Sequence, residues 1–150
     1  MDDRVEAFLA QNSAASMITL RRDGTPHAVR VGVAVVDGKV WSSGTQGRVR
    51  TRHLRRDPRS TLFVFESGGP QGSFRWLALE SVVTILEGPD APDLNIRLFQ
   101  VMQASMPTPP AAGHLMWFGQ EKTIEEFRQV MVDEGRLIYE FEVKRAYGMY

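Results

Sequence analysis

Between HAVRVGVAVV (27–36) and KVWSSG (39–44) stand only two residues, Asp37 and Gly38. Both flanking runs are rich in β-branched residues, and Asp-Gly accepts the positive φ that a two-residue hairpin turn demands. This joint therefore commits the centre of the N-terminal half to antiparallel strands. The same reasoning works upstream, where ASMITL precedes the turn signal Asp23-Gly24-Thr25-Pro26. Three sequential strands are predicted, at roughly 14–22, 26–36 and 39–43.

Elsewhere the apolar period is helical. Val5, Phe8 and Leu9 place a short helix over 3–11, with Asp2 or Asp3 at its cap. Ser43 or Thr45 caps a helix that starts near Gln46, and Pro58 stops it, since the residue before proline is driven out of the α region. STLFVFES (60–67) reads as a strand, Gly68-Gly69-Pro70 as a turn, and FRWLALESVVTILEG (74–88) as a long strand apolar on both faces. Phe74, Trp76 and Ala78 share one face of it, with Arg75, Leu77 and Leu79 on the other. Residues 93–104 are helical with Leu94, Leu98, Val101 and Met102 on one side, and 105–114 form a proline-rich irregular excursion. A helix over 123–135 closes at Gly135, and RLIYEFEV (136–143) is the last strand. Six strands, with one helix after the third and two before the last, imply a mainly β fold: a small antiparallel barrel with helices at its edge, in one domain spanning 1–150.

Composition excludes several chemistries. There is no cysteine, which removes disulfides, thiolate nucleophiles and cysteine-bound metal clusters. No phosphate-binding loop of the G-x-x-x-x-G-K-[ST] type, no G-x-G-x-x-G after a strand and no G-x-S-x-G elbow occurs. His27, His53 and His114 lack the spacing of a helical metal pair, so no metal site is expected. The acidic, amphipathic start and the absence of an eighteen-residue apolar run point to a cytoplasmic protein that does not insert in a membrane.

Charge is balanced overall, with 18 basic and 18 acidic residues, yet six arginines fall between Arg48 and Arg59. Such a run serves as a solvated face, a nucleic-acid surface or a binding site for a compact anion. Net neutrality and the lack of interleaved aromatics count against nucleic acid. An anion fits better, because Ser43, Thr45, Arg48, Arg50 and Thr51 gather hydroxyls and guanidinium forks at a helix N-terminus. A phosphate suits that set. Phe74 and Trp76 are either ordinary core or the wall of a planar ring site, and Trp41 and Trp117 read as packing or rim residues.

In order, these features resemble a known family. The string S-x-x-x-x-R-x-R-T-R-x-L-R-R-D-P-R from Ser43 to Arg59, the strand R-W-L-A-L-E and the closing A-Y-G (146–148) are similar to the split β-barrel flavin- and deazaflavin-dependent oxidoreductases, relatives of pyridoxamine 5′-phosphate oxidase. The closest likeness is to the actinobacterial branch that uses the deazaflavin coenzyme F-420, over about 5–88 and 136–148. The resemblance implies a six-stranded split barrel and a homodimer with active sites at the subunit interface. It further implies a phosphate held by Arg48, Arg50 and Thr51 with Ser43 beside them, a ring system running along His27 and Arg30, and an aromatic neighbour at Trp76. Arg50 stands where lysine is common, so the charge is kept while the choice between F-420 and flavin mononucleotide (FMN) stays open. The implied activity is hydride transfer from reduced F-420 to a conjugated, electron-poor small molecule. An FMN-dependent oxidase or reductase, and a non-catalytic cofactor carrier or ligand-binding module, are the alternatives. No catalytic side chain stands out, as fits chemistry that a cofactor carries. Residues 104–120 align with nothing in the family and are the expected seat of substrate specificity.

Overall fold

The computed structural model describes residues 1–66 and 73–150. The turn expected at Gly68-Gly69-Pro70 lies outside them. The chain opens with α1 (Asp3–Gln11), capped by Asp2, whose carboxylate accepts the Val5 N–H at 2.9 Å. Strands β1 (Ala14–Leu20) and β2 (Pro26–Gly32) form the first hairpin, and β3 (Ala34–Val36) and β4 (Lys39–Thr45) the second. The turn at Asp37-Gly38 has the two positive φ values its sequence calls for, 49° and 75°. Next come α2 (Val49–Arg56), β5 (Arg59–Phe65), β6 (Trp76–Leu86) and α3 (Ala91–Ala104). A small hairpin of β7 (His114–Trp117) and β8 (Gln120–Thr123) leads into α4 (Ile124–Asp133), and β9 (Arg136–Met149) ends the fold.

One antiparallel sheet carries the order β2-β1-β5-β6-β9-β4-β3. β2 and β3 are consecutive, separated only by Val33, yet they occupy its two ends. A flat sheet cannot satisfy that order; the sheet curls until its edges meet in one stretch of chain. The fold is therefore the expected split barrel, with seven strands where six were predicted. The extra strand arises because the segment read as one strand over 26–36 bends at Gly32 and Val33. Met102 of α3 sits against Gly32, with its methyl 2.6 Å from where a Cβ would stand, and the Val33 N–H turns to the Ser13 carbonyl at 2.8 Å.

Alternation decides which residues fill the barrel. Met17, Leu62, Leu77, Leu79, Val40, Tyr139 and Phe141 point inward and are almost wholly buried. α1 adds Val5, Phe8 and Leu9 to this core, and α2 adds Leu54. Outside the barrel, α3 packs Leu98 against Ala34, Val36, Trp41 and Ile138 on the β3-β4-β9 flank. Leu94 and Met102 pack on the same cluster, as expected, whereas Val101 is 41% exposed and Asn95 and Ile96 are buried in addition. A third cluster of Ile96, Leu115, Phe127 and Met131 joins α3, α4 and the β7-β8 hairpin. Among the described residues, no helix packs on the outer face of the opposite flank, β2-β1-β5-β6.

One other expectation is corrected. β9 runs on to Met149 rather than ending at 143, because a register shift at Glu80/Ser81 restores its pairing with β6. The irregular excursion falls where it was expected, after α3 and up to His114, and the β7-β8 hairpin that follows it was not predicted.

Candidate binding site

α2 begins later than its sequence implies, for a reason that shapes the site. Ser43 and Thr45 both belong to β4 and neither caps the helix. The Ser43 hydroxyl donates to Asn95 Oδ1 at 2.5 Å, and Arg48 takes the cap position with extended backbone and no side-chain cap. Thr51 ties the first turn down instead. Its hydroxyl donates to the Thr45 carbonyl at 2.8 Å, which leaves Tyr139 to donate to Thr51 Oγ1 at 2.5 Å. Gly44 makes room for that contact, since a Cβ there would stand 2.2 Å from the Tyr139 oxygen.

Above this joint lies a cavity of about 430 Å³, where β2, β4, the start of α2, α3 and the β7-β8 hairpin meet. Arg30, Arg48, Arg50, Arg136 and Ser43 supply its polar lining, and Phe99, Met102, Trp117 and Phe118 an apolar wall. Arg136 lies over the Trp117 ring at 5.0 Å and pairs with Glu134 at 2.7 Å. Among the described residues, Arg30, Arg48 and Arg50 are in no ion pair.

Arg50 carries the strongest signal. Its guanidinium sits over the Tyr139 ring at 5.6 Å, and its Nε is buried with no hydrogen-bond partner. Burial draws its pKa down; Tyr139 opposes that, and the charges of Arg48 and Arg136 add to it. A buried cationic donor without a partner is costly, and an anion in the cavity relieves that cost. A phosphate fits this lining.

The rest of the arginine run is occupied elsewhere. Arg55 binds Glu87 and Gln46, each at 2.8 Å, and Arg56 donates to the Leu20 carbonyl. Arg59 pairs with Asp57 at 2.8 Å and helps hold that carboxyl down to about 2, while Arg52 reaches the Gly47 carbonyl at 3.4 Å.

Of the residues expected at the site, Arg30, Ser43, Arg48 and Arg50 meet in this cavity. Thr51 lies beneath it, fully buried and with its hydroxyl committed inside the fold. His27 does not line it; it pairs with Thr19 at the far end of β2, with its ring 5.2 Å from that of His53 and its Nδ1 buried without a partner. Trp76 lies on the bare outer face, near Phe63 at 5.6 Å and Tyr147 at 6.1 Å, with β1 and β5 between it and β2. Sequence reasoning missed Arg136 and Phe118. Their signals were a strand-opening arginine after Gly135, and Gly119 between the short runs HLMW and QEKT.

A family model described as pyridoxamine 5′-phosphate oxidase matches residues 1–150. The chain belongs to that family. Among solved structures, this family member is similar to a conserved hypothetical protein of Mycobacterium tuberculosis, at TM-score 0.73 and 21% identity over 99% of this chain and 84% of that one. It is also similar to an F-420 reductase, at TM-score 0.64 and 18% identity, covering 95% and 94%. A haem storage protein of Vibrio cholerae aligns at TM-score 0.67 and 11% identity, covering 98% and 93%. At these identities the likeness is one of fold. No helix among the described residues is long and apolar enough to cross a membrane.

Proposed function

We propose that this family member is an oxidoreductase that uses reduced coenzyme F-420 to reduce a conjugated, electron-poor small molecule. The observation that carries the reading is the buried, unpartnered Nε of Arg50 in a cavity with Arg30 and Arg48, a lining that asks for an anion. Arg48 and Arg50 hold the cofactor phosphate as guanidinium forks. Ser43, fixed by Asn95, is a further polar contact. Phe99, Met102 and Trp117 keep water from one side of the cavity, so charges within it interact more strongly than in bulk solvent. When bound, the cofactor supplies the hydride; the chain supplies binding and orientation. An F-420 reductase is among the proteins that share this fold, which is in keeping with the reading.

The proposed unit is a homodimer. Arg30 lines the cavity and also the apolar depression that includes Ala14, Ala28 and Phe65, so this side chain stands between the cavity and the bare flank of the sheet. A second copy packed there would complete its wall.

Fluorescence titration of the purified protein with F-420 tests the reading, with micromolar affinity expected, or about 8 kcal/mol. Arg50→Ala should weaken binding by ~1.5–3 kcal/mol, the range for a hydrogen bond to a charged group. Unchanged affinity removes Arg50 from the phosphate site, and tighter binding of FMN makes that cofactor the one used. If the protein binds F-420 yet never oxidises its reduced form in the presence of a quinone acceptor, it is a carrier or binding module and not a reductase.

A further inference from the structure

Phe118 combines three features that nothing inside the chain accounts for. It stands at the tip of the β7-β8 hairpin with φ of 46°, in the left-handed region that non-glycine residues rarely adopt. Its ring is 87% exposed, the most of any large apolar side chain described. It also lines the cavity that Arg30, Arg48 and Arg50 line. A hairpin turn with positive φ at both central residues favours Asn or Asp before Gly119, so phenylalanine stores strain there and wets an aromatic face. Within the chain its ring meets the edge of Trp117, at 4.9 Å.

The hairpin holds this ring in a defined place. Gln103 of α3 grips Met116 through both backbone groups, donating from Nε2 to its carbonyl at 2.9 Å and accepting its N–H at Oε1 at 2.8 Å. Trp117 packs against Phe99 and Phe127 at 5.5 and 5.7 Å. Strain and exposure at a well-anchored tip, beside a cationic cavity, are the marks of a side chain placed for a ligand.

We infer that Phe118 is a specificity residue that stacks on the planar conjugated ring of a ligand whose anionic group the arginines hold. The inference rests on the proposed function and adds to it the element that selects a flat ring over an aliphatic phosphate. The ring belongs either to the cofactor or to an acceptor laid against it, and the test separates these.

Phe118→Asn removes the ring and suits the turn, while Phe118→Tyr keeps the ring. Three titrations are compared: F-420 or FMN against the free protein, menadione as a planar acceptor against cofactor-loaded protein, and ribose 5-phosphate as a non-aromatic anion. Phe118→Asn should weaken one of the two planar ligands roughly tenfold, the size expected for one stacked ring, and leave ribose 5-phosphate unchanged. Phe118→Tyr should bind both planar ligands as the parent protein does. Loss of cofactor affinity assigns the ring to the cofactor; loss of menadione affinity alone assigns it to the acceptor. If Phe118→Asn binds both planar ligands normally, the inference fails while the proposed function stands. If the parent protein binds neither F-420 nor FMN, both fail.

Discussion

Arg50 and Thr51 are neighbours in sequence and both suited a phosphate site on residue type alone. Folding separates them, because on a helix one side chain faces the cavity while the next turns into the barrel, where the Tyr139 and Thr45 oxygens engage its hydroxyl. Sequence could assign the chemistry of each side chain but not which face of α2 each would occupy. His53 raises the same issue at the other end of the barrel. It is only 9% exposed, and its Nδ1 is 2.9 Å from the hydroxyl of buried Thr19. Burial, followed by the neighbouring His27, Arg56, Arg21 and Arg52, pulls its pKa below the ordinary value of 6.5. The unfolded chain then binds a proton at His53 more readily than the folded one, so stability rises with pH through this group. Its contribution is fully present above pH 6.5 and declines as acid is added toward the lower folded value. The thermal midpoint should fall between about pH 7 and pH 5, a range above the titration of ordinary carboxylates. His53→Asn, which keeps an amide near Thr19 and cannot titrate, should flatten that part of the profile. An unchanged slope would assign the acid sensitivity to other groups.

At the scale of elements, local signals were read well where they were local. The Asp37-Gly38 turn, the Asp2 cap and the stop at Gly135 each sit within a few residues of the structure they specify. What escaped was set by partners far along the chain. The bend that divides β2 from β3 depends on Met102, 70 positions beyond Gly32, and the late start of α2 depends on Tyr139 reaching Thr51 across 88 positions. The β7-β8 hairpin was hidden by its own turn, whose first central residue is phenylalanine where polar residues are the usual signal. The joint between β4, α2 and β9 offers a clear test. Gly44→Ala drives a methyl into the Tyr139 oxygen, which is fully buried and cannot retreat, whereas Gly47→Ala meets nothing within 4 Å. Gly44→Ala should cost ~1–3 kcal/mol by overpacking, and Gly47→Ala should stay within about 0.5 kcal/mol of the parent. Urea unfolding of the two variants reads this directly; equal midpoints would mean that Gly44 is not there to admit Tyr139.

For the whole molecule, the unequal covering of the sheet is the main fact. α3 and the elements packed on it shield the β3-β4-β9 flank, while along β2-β1-β5-β6 the outward positions include Phe63, Phe65 and Trp76, with Tyr147 and Met149 beside them on β9. Phe65, Tyr147 and Met149 are 56%, 43% and 58% exposed. Composition could not reveal this, since outward Phe63, Phe65 and Trp76 are as apolar as inward Leu62, Val64 and Leu77; only the register showed which half lacked a cover. Contiguous apolar surface of this kind is unusual on a monomer and usual at an interface. The proposed homodimer buries it and walls the cavity beside Arg30, so assembly and cofactor binding should be coupled. Sedimentation should show a dimer at micromolar concentration. Phe65→Glu places a charge in the middle of the proposed interface without touching the barrel core, and should raise the dimer dissociation constant at least tenfold, the equivalent of ~1.4 kcal/mol. Cofactor affinity, measured below the new dissociation constant, should fall with it. A folded monomer of Phe65→Glu that binds cofactor as tightly as the parent would show that each chain builds its site alone, and would leave the bare flank to some other partner.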